Sequence, residues 1–260
     1  MQRYFAFGCS YTNHYWPTVA DFIAIGFKKF YNLGRSGSSN SYILQRLFEA
    51  HQKYNFTSDD FVTVATTGIG RFSYIHKDSG DWILSGDLYP NTGEGQPKLS
   101  QLWAENFESY LFALDRSVFS LKMIRFILDN LNVKYKIYPA ISYLPFQSKD
   151  PATRPLLKEY INLHDIKDSI DTFVLKTNVW DELFGYEFKD GRIDRHPSIS
   201  QHHRYFKEYF PELVSPKTES FCEEQERNFK IESVYLQTKH WNEFCKKLHA
   251  RSMEEKLAGL

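Results

Sequence analysis

Short apolar runs alternate with stretches of helical apolar spacing through the first half of the chain. Residues 3–7 (RYFAF) predict a strand ending at Gly8, and the Trp16-Pro17 step opens an apolar-periodic segment to about residue 27 that predicts a helix. Residues 30–33 predict a second strand, interrupted by the GRSGSSN loop. In 41–50, Ile43, Leu44, Leu47 and Phe48 then recur at helical spacing. The β-branched run FVTVA at 61–65 follows a polar turn and predicts a third strand, buried on both faces.

The second half is less regular. Residues 71–100 are rich in Gly, Ser, Asp and Pro, with Trp82, Leu84 and Tyr89 interspersed, and predict an inserted loop or lid. A long helix is expected within 101–131, and KYKIYPAI at 134–141 predicts a fourth strand. Pro145, Pro151 and Pro155 break the pattern before a last short strand expected at 172–175. A helix is expected at 201–210 and a charged helical tail at 219–256.

Strands joined through helices require a mainly parallel sheet covered on both faces, since parallel neighbours need crossover connections. The expected fold class is therefore α/β, a three-layer α/β/α sandwich on a five-stranded, mainly parallel sheet of flavodoxin-like kind. One domain is expected over 1–214, with an insertion at about 71–100, and a helical C-terminal extension over 215–260 packed on it. Ligands on such sheets bind beyond the carboxyl ends of the strands.

Composition narrows the function only by exclusion. The 32 basic residues balance 32 acidic ones, so no overall field draws the chain to nucleic acid or an anionic membrane, and neither is expected as a partner. Aromatic residues make up 17% of the chain, more than a core usually needs, and such rings also line ligand and sugar clefts. Cys9, Cys222 and Cys245 are too scattered for a disulfide framework or a closed metal site, which points to a reducing compartment. The opening MQRYFAFGCSYT lacks the basic and apolar segments of a secretory signal, and no apolar stretch reaches the roughly 18 residues of a membrane span. A cytoplasmic protein is expected.

Three segments carry candidate chemistry. In Phe7-Gly8-Cys9-Ser10-Tyr11-Thr12 a glycine permits a sharp turn that presents Ser10 at a strand end, although a serine there can equally cap a helix. In the second segment, running from Asn32 to Asn40, Gly34 and Gly37 let backbone amides approach a ligand, while Ser39 or Asn40 can cap the next helix. The third is Asp194-Arg195-His196-Pro197-Ser198, where a nearby acid can fix the imidazole tautomer and leave its other nitrogen facing a nucleophile. Eight other histidines compete, among them His202 and His203, which are expected at the exposed surface.

Taken in this order, the three segments resemble the SGNH (GDSL-like) hydrolase family, particularly its FGCS-type members from phages and bacterial polysaccharide loci. In that family the serine follows the first strand, a block N-x-G-x-x-G follows the second, and the histidine comes late with its acid just upstream. Asn32, Gly34 and Gly37 match the second block with its spacing intact. Cys9 stands where the first block has an aspartate, and Asp194 precedes His196 by one residue fewer than the usual D-x-x-H, a shortening familiar in the FGCS-type group. The third block, normally G-x-N, reads here Thr66-Thr67-Gly68-Ile69-Gly70-Arg71 and has no asparagine.

The resemblance implies a Ser10 nucleophile, His196 as general base and Asp194 as its orienting acid, with the backbone N–H groups of Ser10 and Gly37 binding the oxyanion. It places Arg71, Asn40 and Thr67 where substrate is met, with Thr67 or Arg71 as successor to the missing asparagine, and it implies neither cofactor nor metal. Loss of an oxyanion donor costs about 10²–10³-fold in rate, so that substitution bears on activity. Cys9 is not expected to be the nucleophile, because alternation at the strand end turns it away from Ser10 toward the core. Three functions stay open: an esterase acting on an acyl or O-acetyl ester of a small molecule or glycan, an O-acyltransferase that modifies a polysaccharide, and a non-catalytic glycan-binding or scaffold protein.

Overall fold

The computed structural model describes residues 3–75, 77–87, 109–142, 151, 153–177, 185–187, 189, 191, 193–194 and 196–229. The expected lid beyond residue 87 and the expected tail beyond residue 229 lie outside these residues.

Strand β1 (Arg3–Phe7) leads to helix α1 (Val19–Ala24), β2 (Lys29–Asn32), α2 (Asn40–Tyr54) and β3 (Phe61–Thr66). Next come β4 (Arg71–Ile75), β5 (Trp82–Asp87), α3 (Tyr110–Asn130), β6 (Lys134–Pro139), α4 (Thr153–Asn162) and α5 (Ile170–Thr177). A short ribbon of β7 (Tyr186–Glu187) and β8 (Ile193–Asp194) precedes α6 (Ile199–Tyr209) and α7 (Pro216–Asn228).

The main sheet is wholly parallel and runs β2-β1-β3-β6. Side-chain alternation divides its two faces cleanly. Tyr4, Ala6, Phe61, Ala65 and Tyr138 face a layer containing α1, α5, α6 and α7, while Phe5, Phe7, Val62, Val64 and Ile137 face α2 and α3. Burial of each large apolar side chain among them contributes roughly 1.5–3 kcal/mol, which fixes strand register, because a one-residue slip would exchange the two faces. All four strands point their carboxyl ends the same way, so the loops after β1, β2, β3 and β6 collect at one rim.

Three expectations are corrected. Residues 172–175 are helical rather than a fifth strand: Ser169 Oγ accepts from the Thr172 N–H at 3.1 Å as an N-cap, and Ile170, Phe173 and Val174 are buried at helical spacing. The described part of the 71–100 insertion is an antiparallel ribbon of β4 and β5 rather than an irregular loop, its alternating Phe72, Tyr74, Trp82 and Leu84 suiting paired strands. His202 and His203 are buried rather than exposed, since α6 turns Ile199, His202, His203 and Phe206 inward on one stripe.

Helix α7 belongs to the core layer that it covers. Its Phe221 and Cys222 are buried with Phe22 and Phe206, and Phe221 meets Phe22 edge-on. No helix among the described residues is long and apolar enough to cross a membrane.

Candidate active site

The turn after β1 is tight because Cys9 C=O accepts from the N–H groups of both Thr12 (3.0 Å) and Asn13 (3.2 Å). A side chain at Gly8 would place its Cβ 2.0 Å from Thr12 Oγ1 and 3.0 Å from Ala65 Cβ, so only glycine fits. Cys9 is fully buried in the core, and Ser10 is turned toward His196. Ser10 Oγ lies 2.7 Å from His196 Nε2. His196 Nδ1 lies 2.5 Å from Asp194 Oδ1, and the same oxygen accepts from the His196 backbone N–H at 3.0 Å. A serine, an imidazole and a carboxylate thus form one continuous relay.

The segment carrying Asp194 and His196 is held from several directions. Gly185 has φ of 86°, and a Cβ there would stand 2.0 Å from Asp194 O and 2.7 Å from His196 O, so the β7 end can lie against this segment only as glycine. Trp16 Nε1 donates to Pro197 O at 2.8 Å, and Ser198 caps α6 through a reciprocal box with Gln201. Glu226, on α7, accepts from the Ser200 N–H at 2.8 Å and from the Tyr186 hydroxyl at 3.3 Å. Helix α7 therefore braces the start of α6 directly behind His196.

The other two loops interlock with the first. Asn32 Nδ2 donates to Thr12 O at 2.8 Å, Asn13 Nδ2 to Gly34 O at 2.9 Å, and the Arg35 N–H to Gly8 O at 3.0 Å. A Cβ on Gly34 would lie 2.8 Å from Thr12 Cβ, which explains a glycine at this closest approach. Gly37 has φ of 78°, and neither its N–H nor that of Ser10 donates to an acceptor among the described residues. Ser39 caps α2 through the Tyr42 N–H. Asn40 is buried and brackets Thr67, accepting from its N–H at 2.9 Å and donating to its carbonyl at 3.3 Å, with Ser117 Oγ also 3.3 Å from Asn40 Nδ2. Its amide is taken up by protein groups that fix the turn after β3.

No protein-family model matches the chain, and no curated protein is similar to it in sequence.

Two groups at that turn retain unused polar atoms. Thr67 Oγ1 is buried with no partner among the described residues, and so is Arg71 Nη1. The Arg71 backbone N–H donates to Gly68 O at 3.1 Å, closing the turn that starts β4. Its guanidinium acts electrostatically on the Tyr11 hydroxyl, as do the carboxylates of Asp171 and Asp194, so Arg71 and the Ser10 loop share one neighbourhood. Burial, with the two carboxylates, pushes the Tyr11 phenol up and keeps it protonated.

The relay carboxylate is stabilised as an anion. Burial alone would raise the Asp194 pKa, yet the close His14 ring and the hydrogen-bonded His196 outweigh it and hold the carboxyl well below the ordinary carboxylate range. His14 Nε2 lies 3.3 Å from Asp194 Oδ2, and its ring stacks on that of His196 with centroids 3.9 Å apart. Burial pushes the His14 pKa down, as does the His196 imidazole, while Asp194 opposes the shift. His202, fully buried, is pushed far lower by burial and by its neighbours His14 and His196.

Donor atoms of His14, Asp194 and His196 lie within 4.8 Å of one another and could hold a metal ion. In the observed geometry both ring nitrogens of His196 are engaged by Ser10 and Asp194, so ligation through this ring would break one of those bonds.

The structure brings Ser10, Asp194 and His196 together, and the same rim carries Gly37, Thr67, Arg71 and the protein-bonded Asn40. His14, Tyr186 and Glu226, which the sequence did not single out, also meet this segment. His14 follows Ser10 by four residues in an irregular turn, and only the approach of Asp194 brings it into the site. Tyr186 and Glu226 carried no signal, because their roles depend on how two distant segments pack.

Proposed function

We propose that this protein is a serine esterase of the SGNH type, acting on an acyl ester, such as an O-acetyl group, of a small molecule or glycan. The observation that carries this reading is the unbroken relay from Ser10 Oγ through His196 to Asp194. Its members arrive in the order Ser, Asp, His along the chain, from the first strand end and a late loop, as in that family.

In the proposed reaction Ser10 Oγ attacks the acyl carbon while neutral His196 takes its proton, and Asp194 orients the ring and stabilises the imidazolium. The carbonyl π pair moves to oxygen, and the N–H groups of Ser10 and Gly37 receive that oxyanion. Collapse expels the alcohol, which takes the proton from His196, and leaves an ester on Ser10. Water then repeats the sequence in reverse to release the acid and restore Ser10.

A sugar hydroxyl in place of water would make the same machinery an O-acyltransferase. Acyl-ester turnover with and without a glycan acceptor separates these outcomes: free acetate in both conditions supports the esterase, and acetyl transfer to the sugar supports the transferase. Absence of turnover in both, with Ser10 unreactive, would leave a non-catalytic glycan-binding or scaffold role. We place the protein in the cytoplasm, a reading supported by the unpaired, buried thiols of Cys9 and Cys222.

A further inference from the structure

We infer that His14 is a positioning residue, a second imidazole that grips the free oxygen of Asp194 and so holds the carboxylate in the plane that serves His196. The inference rests on the serine-esterase reading and extends it to a residue outside the Ser-His-Asp set.

Asp194 has two oxygens and two imidazoles. Oδ1 accepts from the His196 backbone and from Nδ1, while Oδ2 lies 3.3 Å from His14 Nε2. With only the first set of contacts the carboxylate could swing about Cβ–Cγ; a contact on the second oxygen removes that freedom. His14 is itself well fixed. Its ring lies edge-on to Trp16 at 4.2 Å, stacks on His196 at 3.9 Å, and is buried, with the Trp16 indole anchored on Pro197 O. The Trp16–Pro197 and His14–Asp194 contacts therefore clamp the loop after β1 to the late segment that carries Asp194 and His196.

Charge explains why a buried imidazole suits this place. We assign the His14 proton to Nε2, because a bare nitrogen 3.3 Å from a carboxylate oxygen would repel it. When His196 becomes an imidazolium during turnover, a second positive ring stacked on it would oppose that step. A neutral His14 supplies a donor to Asp194 without adding such charge. Stacking also restrains rotation of the His196 ring, which keeps Nε2 on Ser10.

The test measures kcat and KM for p-nitrophenyl acetate in full-length wild type, His14→Phe and His14→Gln. Phenylalanine keeps an aromatic ring against Trp16 and His196 but has no donor, whereas glutamine restores an N–H. His14→Phe is expected to lose about tenfold or more in kcat with little change in KM, and His14→Gln to recover part of it. The histidine ¹⁵N spectrum of the wild type should show residue 14 neutral at pH 7 with the proton on Nε2. This readout decides the matter even if His14→Phe does not fold. A kcat for His14→Phe within twofold of wild type, absence of rescue by glutamine, or a bare Nε2 overturns the role of His14. Activity that is lost in EDTA, restored by zinc and no longer zinc-dependent in His14→Phe would also overturn it, in favour of a metal held by His14, Asp194 and His196. A wild type that neither turns over ester nor reacts with a fluorophosphonate at Ser10 overturns the esterase reading itself. A reactive Ser10 with unaltered kcat in His14→Phe overturns only the inference about His14.

Discussion

His196 Nε2 lies 2.7 Å from Ser10 Oγ although 186 residues separate them along the chain. The approach is made by two parts of the fold: the glycine-tight turn after β1, whose loop also sends Trp16 to Pro197, and the start of α6, braced by Gln201 and Glu226. The esterase reading needs both parts, because a nucleophile and base displaced by about 1 Å lose on the order of 10²-fold in rate.

His196→Ala is expected to reduce ester turnover by about 10³-fold or more, since no other imidazole contacts Ser10 among the described residues. His203, packed on Phe22 and Phe206 and 3.7 Å from Glu219, serves as the control. Steady-state assays of His196→Ala and His203→Gln check this: His203→Gln should keep its activity wherever it remains folded. Loss of turnover in His203→Gln with His196→Ala still active would mean that the base has been misassigned.

Arg71→Ala should raise KM for an anionic or polar glycan ester much more than for p-nitrophenyl acetate. The reason is the buried Arg71 Nη1, which has no partner among the described residues, and a guanidinium in that state favours a substrate carboxylate or phosphate. Equal loss on both esters would instead assign Arg71 to the oxyanion. No loss on either would leave Arg71 without a part in the site.

Glu226→Ala should lower stability by about 1–3 kcal/mol, because the Ser200 N–H and the Tyr186 hydroxyl lose their shared acceptor. Urea denaturation measures this, and kcat should fall with it through loosening of the His196 segment. Unchanged stability and kcat would mean that α7 does not brace the site.

Stability should fall with acid as buried imidazoles are forced to charge, and His164 contributes to this together with His14 and His202. The His164 ring receives a hydrogen bond from Thr66 Oγ1 at Nε2 and donates from Nδ1 to Tyr160 O, and burial pushes its pKa down to about 3. A folded pKa below the unfolded value of about 6.5 means that the contribution is complete above 6.5 and is lost as pH falls toward 3. Urea midpoints should therefore decline across that range, and His164→Asn should flatten the decline. A variant as acid-sensitive as wild type would contradict this.

Most of the main sheet could be read in advance because its central strands are short, near-continuous buried runs, as Phe61–Thr66 and Arg3–Phe7 are. Residues 172–175 misled because four apolar or β-branched positions suit a strand as well as a helical face, and the Ser169 cap that decides between them lies outside the run. The buried histidines of α6 were unreadable for a related reason: His202 occupies a core stripe despite its polarity, and both its ring nitrogens lack a partner among the described residues. Ser10, Asp194 and His196 were legible through motif order. His14 was not, because nothing local distinguishes it from a surface histidine, and only the approach of Asp194 from the far end of the chain gives it a partner.

The most direct test of the esterase reading is covalent capture of the nucleophile. Native protein treated with a fluorophosphonate probe is digested and mapped by mass spectrometry, alongside Ser10→Ala and His196→Ala. The account predicts one modified residue, Ser10, in the wild type, with no labelling in Ser10→Ala and labelling slowed by about 10²-fold or more in His196→Ala. A modification on Cys9 or another residue, or equal labelling in Ser10→Ala, would contradict it.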